Sequence, residues 1–248
     1  MPAEGPLVDH LRRAERLTLL LDYDGTLVPF APRPELAAPD ESLRSLLGAL
    51  ARRPRTVVHV VSGRDRGSLE GWLGDLPVGL HAEHGVWTRP TPTSPWQAAR
   101  EVDEPFRGKL EALVEGVIAT SGGRLERKSA GVAWHFRGVD VSDDAVARAR
   151  AELAEAAAPL GCEVLSGNRV LEIRLRGIHK GEVVRRLAAA DPEGATLVAV
   201  GDDHTDEDMF RALPEGGVSV VVGDRESGAS YRVADVTAVR ELLAALVA

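Results

Sequence analysis

Residues 17–27 read Leu-Thr-Leu-Leu-Leu-Asp-Tyr-Asp-Gly-Thr-Leu: an apolar run that ends in two carboxylates, two positions apart. A run that is apolar on consecutive positions reads as a strand buried on both faces of a parallel sheet. Three more runs have this character: Thr56–Val61 (TVVHVV), Ala195–Val200 (ATLVAV) and Val218–Val222 (VSVVV). Helical patterns lie between them. Asp40 reads as the N-cap of ESLRSLLGALARR, with leucines at 43, 46, 47 and 50, and residues 65–73, 179–190 and 237–247 carry further helices. Strands alternating with helices predict an α/β fold with a doubly wound, Rossmann-like parallel sheet.

The middle of the chain breaks this rhythm. Residues 103–121 read as a helix, and RLERKSAGVAWHFRG (124–138) as two strands around a Ser-Ala-Gly turn. Ser142 caps an alanine-rich helix, and CEVLSGNRVLEIRLR (162–176) is a second strand pair. This antiparallel pattern predicts a smaller α+β cap domain, residues 101–176, inserted into a core made of residues 1–100 and 177–248. The Pro/Thr-rich stretch 88–97 suits a linker or long loop.

Composition narrows the function. The chain has 248 residues and a formal net charge of -8, which disfavours a nucleic-acid partner. No apolar run approaches the ~20 residues that span a bilayer, and the charged N-terminal stretch does not read as a signal peptide. Cys162 is the only cysteine, so neither an internal disulfide nor a cysteine-based zinc site is expected, and it suits a small buried apolar position. A cytoplasmic location is the expectation. Only three of the 30 basic residues are lysines: Lys109, Lys128 and Lys180.

Ligands of open α/β sheets bind beyond the carboxyl ends of the strands, and chemistry-bearing residues gather there. Of Asp22 and Asp24, one can act as a nucleophile or metal ligand and the other can exchange a proton. Ser62-Gly63-Arg64 offers a hydroxyl, an unhindered amide and a guanidinium to an anion. Lys180 opens a helix, where an ammonium is unfavourable unless an anion is near. After the third apolar run, Asp202-Asp203-His204-Thr205-Asp206-Glu207-Asp208 packs five acidic residues into seven positions. A divalent cation would relieve their repulsion, and all-oxygen ligands suit magnesium. Asp202, nearest the strand end, takes the metal role first; His204 reads as a surface histidine.

In this order the motifs resemble those of the haloacid dehalogenase-like phosphatase superfamily: Asp22-Tyr-Asp24-Gly-Thr26, Ser62, Lys180 and Gly201-Asp202-Asp203-x-x-Asp206. Further stretches are similar to the trehalose-6-phosphate phosphatase family. They are Ala82-Glu83-His84-Gly85, Glu126-Arg-Lys128, Trp134-His135-Phe-Arg137, Gly167-Asn168-x-x-x-Glu172-x-Arg174 and Gly201-Asp-Asp-x-Thr-Asp-Glu-Asp-Met-Phe. The resemblance implies a stand-alone, magnesium-dependent phosphatase acting through an aspartyl-phosphate. Asp22 would be the nucleophile and Asp24 the acid and base. Mg2+ would bind Asp22, the Asp24 carbonyl and Asp202, with Asp203 and Asp206 orienting these ligands from behind. Thr26, Ser62, Gly63, Arg64 and Lys180 would hold the phosphate.

The inserted domain would select the substrate. Glu126 and Lys128 share a strand face, and with Glu172 they are the first candidates for reading sugar hydroxyls. Glu83, His135, Arg137, Asn168 and Arg174 follow, while Trp134 falls on the opposite face to His135 and suits the cap core. The expected partner is a small sugar phosphate, trehalose 6-phosphate, met by a monomer. Other readings are a phosphatase for sucrose-phosphate or a hexose phosphate, and a non-catalytic sugar-phosphate-binding regulator.

Overall fold

Leu17–Leu21 forms strand β1, buried along its whole length, inside an eight-stranded sheet. The structure is a computed structural model that describes residues 4–31, 33–100, 102–167, 169–191 and 194–247. Helix α1 (Glu4–Arg13) precedes β1. The chain then winds outward on one side through α2 (Glu41–Arg52), β2 (Thr56–Val61), α3 (Arg66–Leu73) and β3 (Gly79–Ala82). Asp40 and Asp65 cap α2 and α3, each accepting a main-chain N–H from three residues on.

Residues 90–96 form the expected loop, but the ends of the 88–97 stretch are strand. They contribute to β4 (Trp87–Arg89) and β5 (Gln97–Ala98), which extend the sheet, β4 running antiparallel to β3. The reason is side-chain anchoring. Buried Arg89 donates to the Glu70 carboxylate and the Gly74 carbonyl, both at 3.0 Å, and the Trp96 indole donates to Glu70 at 2.6 Å.

From His179 the winding resumes on the other side of β1. It runs through α6 (Lys180–Ala190), β10 (Thr196–Gly201), α7 (Glu207–Ala212), β11 (Val218–Val222), β12 (Tyr231–Val233) and α8 (Val236–Ala245). The strand order is β12-β11-β10-β1-β2-β3-β4-β5, and all pairs from β12 to β3 are parallel. The order reverses at β1, the switch point at which such sheets bind ligands. Leu19 and Leu21 face α1, α2, α3 and α8, while Leu20 faces α6 and α7. Both sheet faces are therefore covered, which explains the continuous apolar runs.

The described residues divide into two compact units, one reaching Gln97 and resuming at His179, the other Ala98–Ile178. In the second unit α4 (Glu104–Ser121) precedes β6 (Arg124–Arg127) and β7 (Gly131–His135), and α5 (Asp143–Ala157) precedes β8 (Cys162–Gly167) and β9 (Val170–Leu175). The four strands form an antiparallel sheet in the order β6-β7-β9-β8. Cys162 is buried. No helix among the described residues is long and apolar enough to cross a membrane.

Candidate active site

Parallel register carries separate stretches of sequence to one edge of the sheet. Leu21 pairs with Val200 on one side and Val60 on the other, so Asp22, Gly201 and Val61 emerge together. The Asp22 N–H donates to the Val200 carbonyl at 2.9 Å, and Ser62 N–H to the His81 carbonyl at 2.9 Å. Lys180, the first residue of α6, is fully enclosed. Its ammonium donates to Asp22 Oδ1 and to Asp206 Oδ1, both at 2.6 Å.

The Thr26 hydroxyl lies 3.0 Å from Asp22 Oδ2 and 3.2 Å from Asp202 Oδ1. Thr26, one of the residues expected on the phosphate, is buried between these two carboxylates. Gly25 makes this approach possible. Its φ is +83°, and a β-carbon there would overlap the Asp202 carboxylate.

Carboxylate oxygens of Asp22, Asp202 and Asp206 lie within 4.8 Å of one another. Burial pushes the Asp22 carboxyl well above its ordinary pKa; Lys180 opposes the rise, and Asp206 and Asp202 add to it. Burial raises Asp202 as well. Burial alone would depress Lys180, but the charges of Asp206 and Asp22 outweigh it and push its pKa up. Three acidic groups thus share one ammonium in a desolvated space. The donors are all oxygen and the charge is uncompensated, so the residues fit a hard divalent cation. Asp206 spends one oxygen on Lys180 and the other on the Asp203 N–H, at 2.9 Å. Asp203 turns its own carboxylate to the His204 N–H at 2.7 Å, which caps the following turn rather than facing the cluster. His204 is exposed.

Arg64, also expected on the phosphate, meets a carboxylate. Its guanidinium forks the Asp24 carboxylate, Nε to Oδ2 at 2.7 Å and Nη2 to Oδ1 at 2.5 Å, and lies over Trp72. Glu83 lies in the first unit. It is buried at the end of β3 with φ +49°, and its N–H donates to the Arg64 carbonyl.

In the inserted unit, pairing places Glu126, Ala133, Glu172 and Leu165 in one row across the sheet. The neighbouring rows bring His135, Arg174 and Glu163 to the same face. Glu126 pairs with His135, Lys128 with Glu172, and Arg174 with Glu163. The other face is mostly apolar. It holds Leu171, Ile173 and Trp134, whose indole donates to the Gly122 carbonyl at 2.8 Å. Arg137 sits on the exposed turn after β7, and Asn168 lies outside the described residues.

The trehalose-phosphatase family pattern matches residues 20–238. The chain belongs to the trehalose-phosphatase family. It is 42% identical over 234 residues to a bifunctional trehalose-6-phosphate synthase/phosphatase of Thermoproteus tenax, covering 93% of this chain and 32% of that protein. Against the C-terminal domain of the Candida albicans trehalose-6-phosphate phosphatase the TM-score is 0.86 at 27% identity, covering 98% and 96% of the two chains. A haloacid dehalogenase-like hydrolase from Bacteroides thetaiotaomicron shares the fold, with a TM-score of 0.67 at 15% identity and coverage of 92% and 98%. The chain spans about a third of the length of the curated Thermoproteus relative it matches.

For this family member the sequence concealed two arrangements. One is the Arg64–Asp24 fork, between residues far apart in sequence. The other is Arg225, on the loop after β11, which reaches the carbonyls of Asp202 and Asp203. Its position just past an apolar strand was the available signal.

Proposed function

We propose that the protein hydrolyses trehalose 6-phosphate to trehalose and phosphate through a covalent aspartyl-phosphate. The observation that carries this reading is the meeting of Asp22, Asp202, Asp206 and Lys180 at the switch point of the sheet. Family membership and the likeness to the Candida phosphatase domain support the substrate assignment.

Asp22 is held by Lys180 at one oxygen and Thr26 at the other, which fixes the orientation of the attacking carboxylate. It attacks phosphorus, and the P–O bond to the sugar breaks. Asp24 delivers a proton to the departing sugar oxygen, then takes one from the water that cleaves the acyl phosphate, so Asp22 is regenerated. For this Asp24 must leave Arg64. Ser62, the Gly63 amide and Lys180 offer donors to the phosphoryl oxygens. Asp22, the Asp24 carbonyl and Asp202 would hold Mg2+, with Asp206 fixing Lys180 behind them. Such a cation supplies Lewis-acid charge neutralisation, which lets an anionic nucleophile approach an anionic ester.

The inserted unit serves as a specificity cap. Its polar face, with Glu126, Lys128, His135, Glu172 and Arg174, is suited to sugar hydroxyls, because each ion pair there can exchange a partner for a hydroxyl. The chain would act as a monomer, in the cytoplasm.

A phosphate-release panel tests the reading. Trehalose 6-phosphate should be turned over far faster than sucrose-phosphate or glucose 6-phosphate, and Asp22→Asn should abolish turnover with an unchanged circular-dichroism spectrum. Faster hydrolysis of a hexose monophosphate would reassign the substrate. Full activity of Asp22→Asn would exclude the covalent route.

A further inference from the structure

Arg225 has no part in the chemistry described above, yet its mostly buried guanidinium makes four contacts. Nε donates to the Asp202 carbonyl at 2.7 Å, and Nη1 to the Glu226 carbonyl at 2.8 Å. Nη2 donates to the Asp203 carbonyl at 2.9 Å and to the Glu207 carboxylate. Glu207 is buried too, and its carboxylate also accepts the Ser227 hydroxyl at 2.6 Å and the Gly228 N–H at 3.2 Å. One ion pair therefore ties the loop after β11 to the acidic segment after β10.

A buried pair of this kind is a weak source of net stability, because desolvation offsets the attraction. Its direction is the informative feature. Two of the four contacts fall on the main-chain carbonyls of the residues that leave β10 toward the carboxylate cluster. Asp202 is consequently fixed from two sides: Thr26 Oγ1 lies 3.2 Å from its side chain, and Arg225 holds its carbonyl. Groups that orient a metal ligand from behind typically change affinity about 10–100-fold when removed, since the ligand must then be ordered on binding.

We propose that Arg225, braced by Glu207, is a positioning residue that presents the Asp202 carboxylate to a divalent cation. This rests on the cation reading of the Asp22–Asp202 site, and the test separates the two.

Mn2+ is the probe, titrated into the full chain and followed by loss of the free-ion electron paramagnetic resonance signal, which does not depend on turnover. Arg225→Ala should weaken binding about tenfold or more. Glu207→Gln should weaken it less, because it keeps the contacts from Ser227 and Gly228. Arg225→Lys should recover part of the loss, since an ammonium can still reach one carbonyl. Wild-type affinity in both Arg225→Ala and Glu207→Gln, whatever their melting temperatures, would overturn the proposal and leave the pair as a loop brace. If Arg225→Ala does not fold, Glu207→Gln and Arg225→Lys decide on the same criterion. A wild-type chain that binds no Mn2+, or an Asp202→Asn chain that binds it as tightly as wild type, would bring down the cation reading and this proposal together.

Discussion

At Gly25 two constraints coincide. The left-handed backbone costs an L-residue about 1–2 kcal/mol, and the space for a β-carbon is taken by the Asp202 carboxylate. Gly25→Ala should therefore lose stability of about that size and, by displacing Asp202, far more activity than stability. Thermal melting and turnover measured on the same preparation check the disparity; proportionate losses would mean that Asp202 tolerates the shift. At this scale the sequence was readable where neighbours in the chain share a task, as Asp22 and Asp24 do. It was unreadable where one group selects among partners brought by other strands. Arg64 and Thr26, both suited to a phosphate, also reach the carboxylates of Asp24 and Asp22. A guanidinium and a hydroxyl take whichever acceptor folding sets within about 3 Å, and spacing along the chain does not reveal it.

Among the elements, β2 and β3 carry an unusual junction. His81 Nε2 lies 3.1 Å from His59 Nδ1, and His81 Nδ1 lies 3.2 Å from Thr88 Oγ1; both rings are buried. Burial lowers the His59 pKa to about 4 and pushes His81 well below its ordinary value. The unfolded chain, with ordinary histidines near 6.5, takes up these protons first. Stability is thus fully present above about pH 6.5 and drains away as pH falls toward 4, on the order of 3 kcal/mol for His59. His59→Gln should flatten the melting temperature between pH 7 and 4 relative to wild type; parallel curves would remove the histidine pair as the cause. The long strands were legible in the sequence as continuous apolar runs, and the helices by their periodicity or caps. The β3 segment, Gly-Leu-His-Ala, was not, since four residues with a histidine lack an apolar signature. Helix α1 carries no clear signal either, with Gly5 and Pro6 in its first turn.

For the whole molecule, the net charge of -8 is partly concentrated where three carboxylates converge. A ligand that binds only the folded chain stabilises it by about 2.7 kcal/mol at a hundredfold excess over its dissociation constant. Saturating Mg2+ should raise the melting temperature, EDTA should reverse the rise, and Asp202→Asn should abolish the response. A shift that survives in Asp202→Asn would locate the ion elsewhere. The strand pairs of the second unit stand out in the sequence because they alternate rather than run apolar. Near residue 97 the chain still pairs with the larger sheet, which leaves no break in the sequence there.

The downstream joint has a consequence for transplanting the insert. Lys180 stands two residues beyond Ile178, and its ammonium is the counter-charge of both Asp22 and Asp206. The returning strand of polypeptide is thereby moored to the nucleophile itself. Any chimera that exchanges residues 98–178 for a foreign module must re-enter in phase at His179, because a slip of a single position would withdraw the cation and leave three acidic groups facing one another.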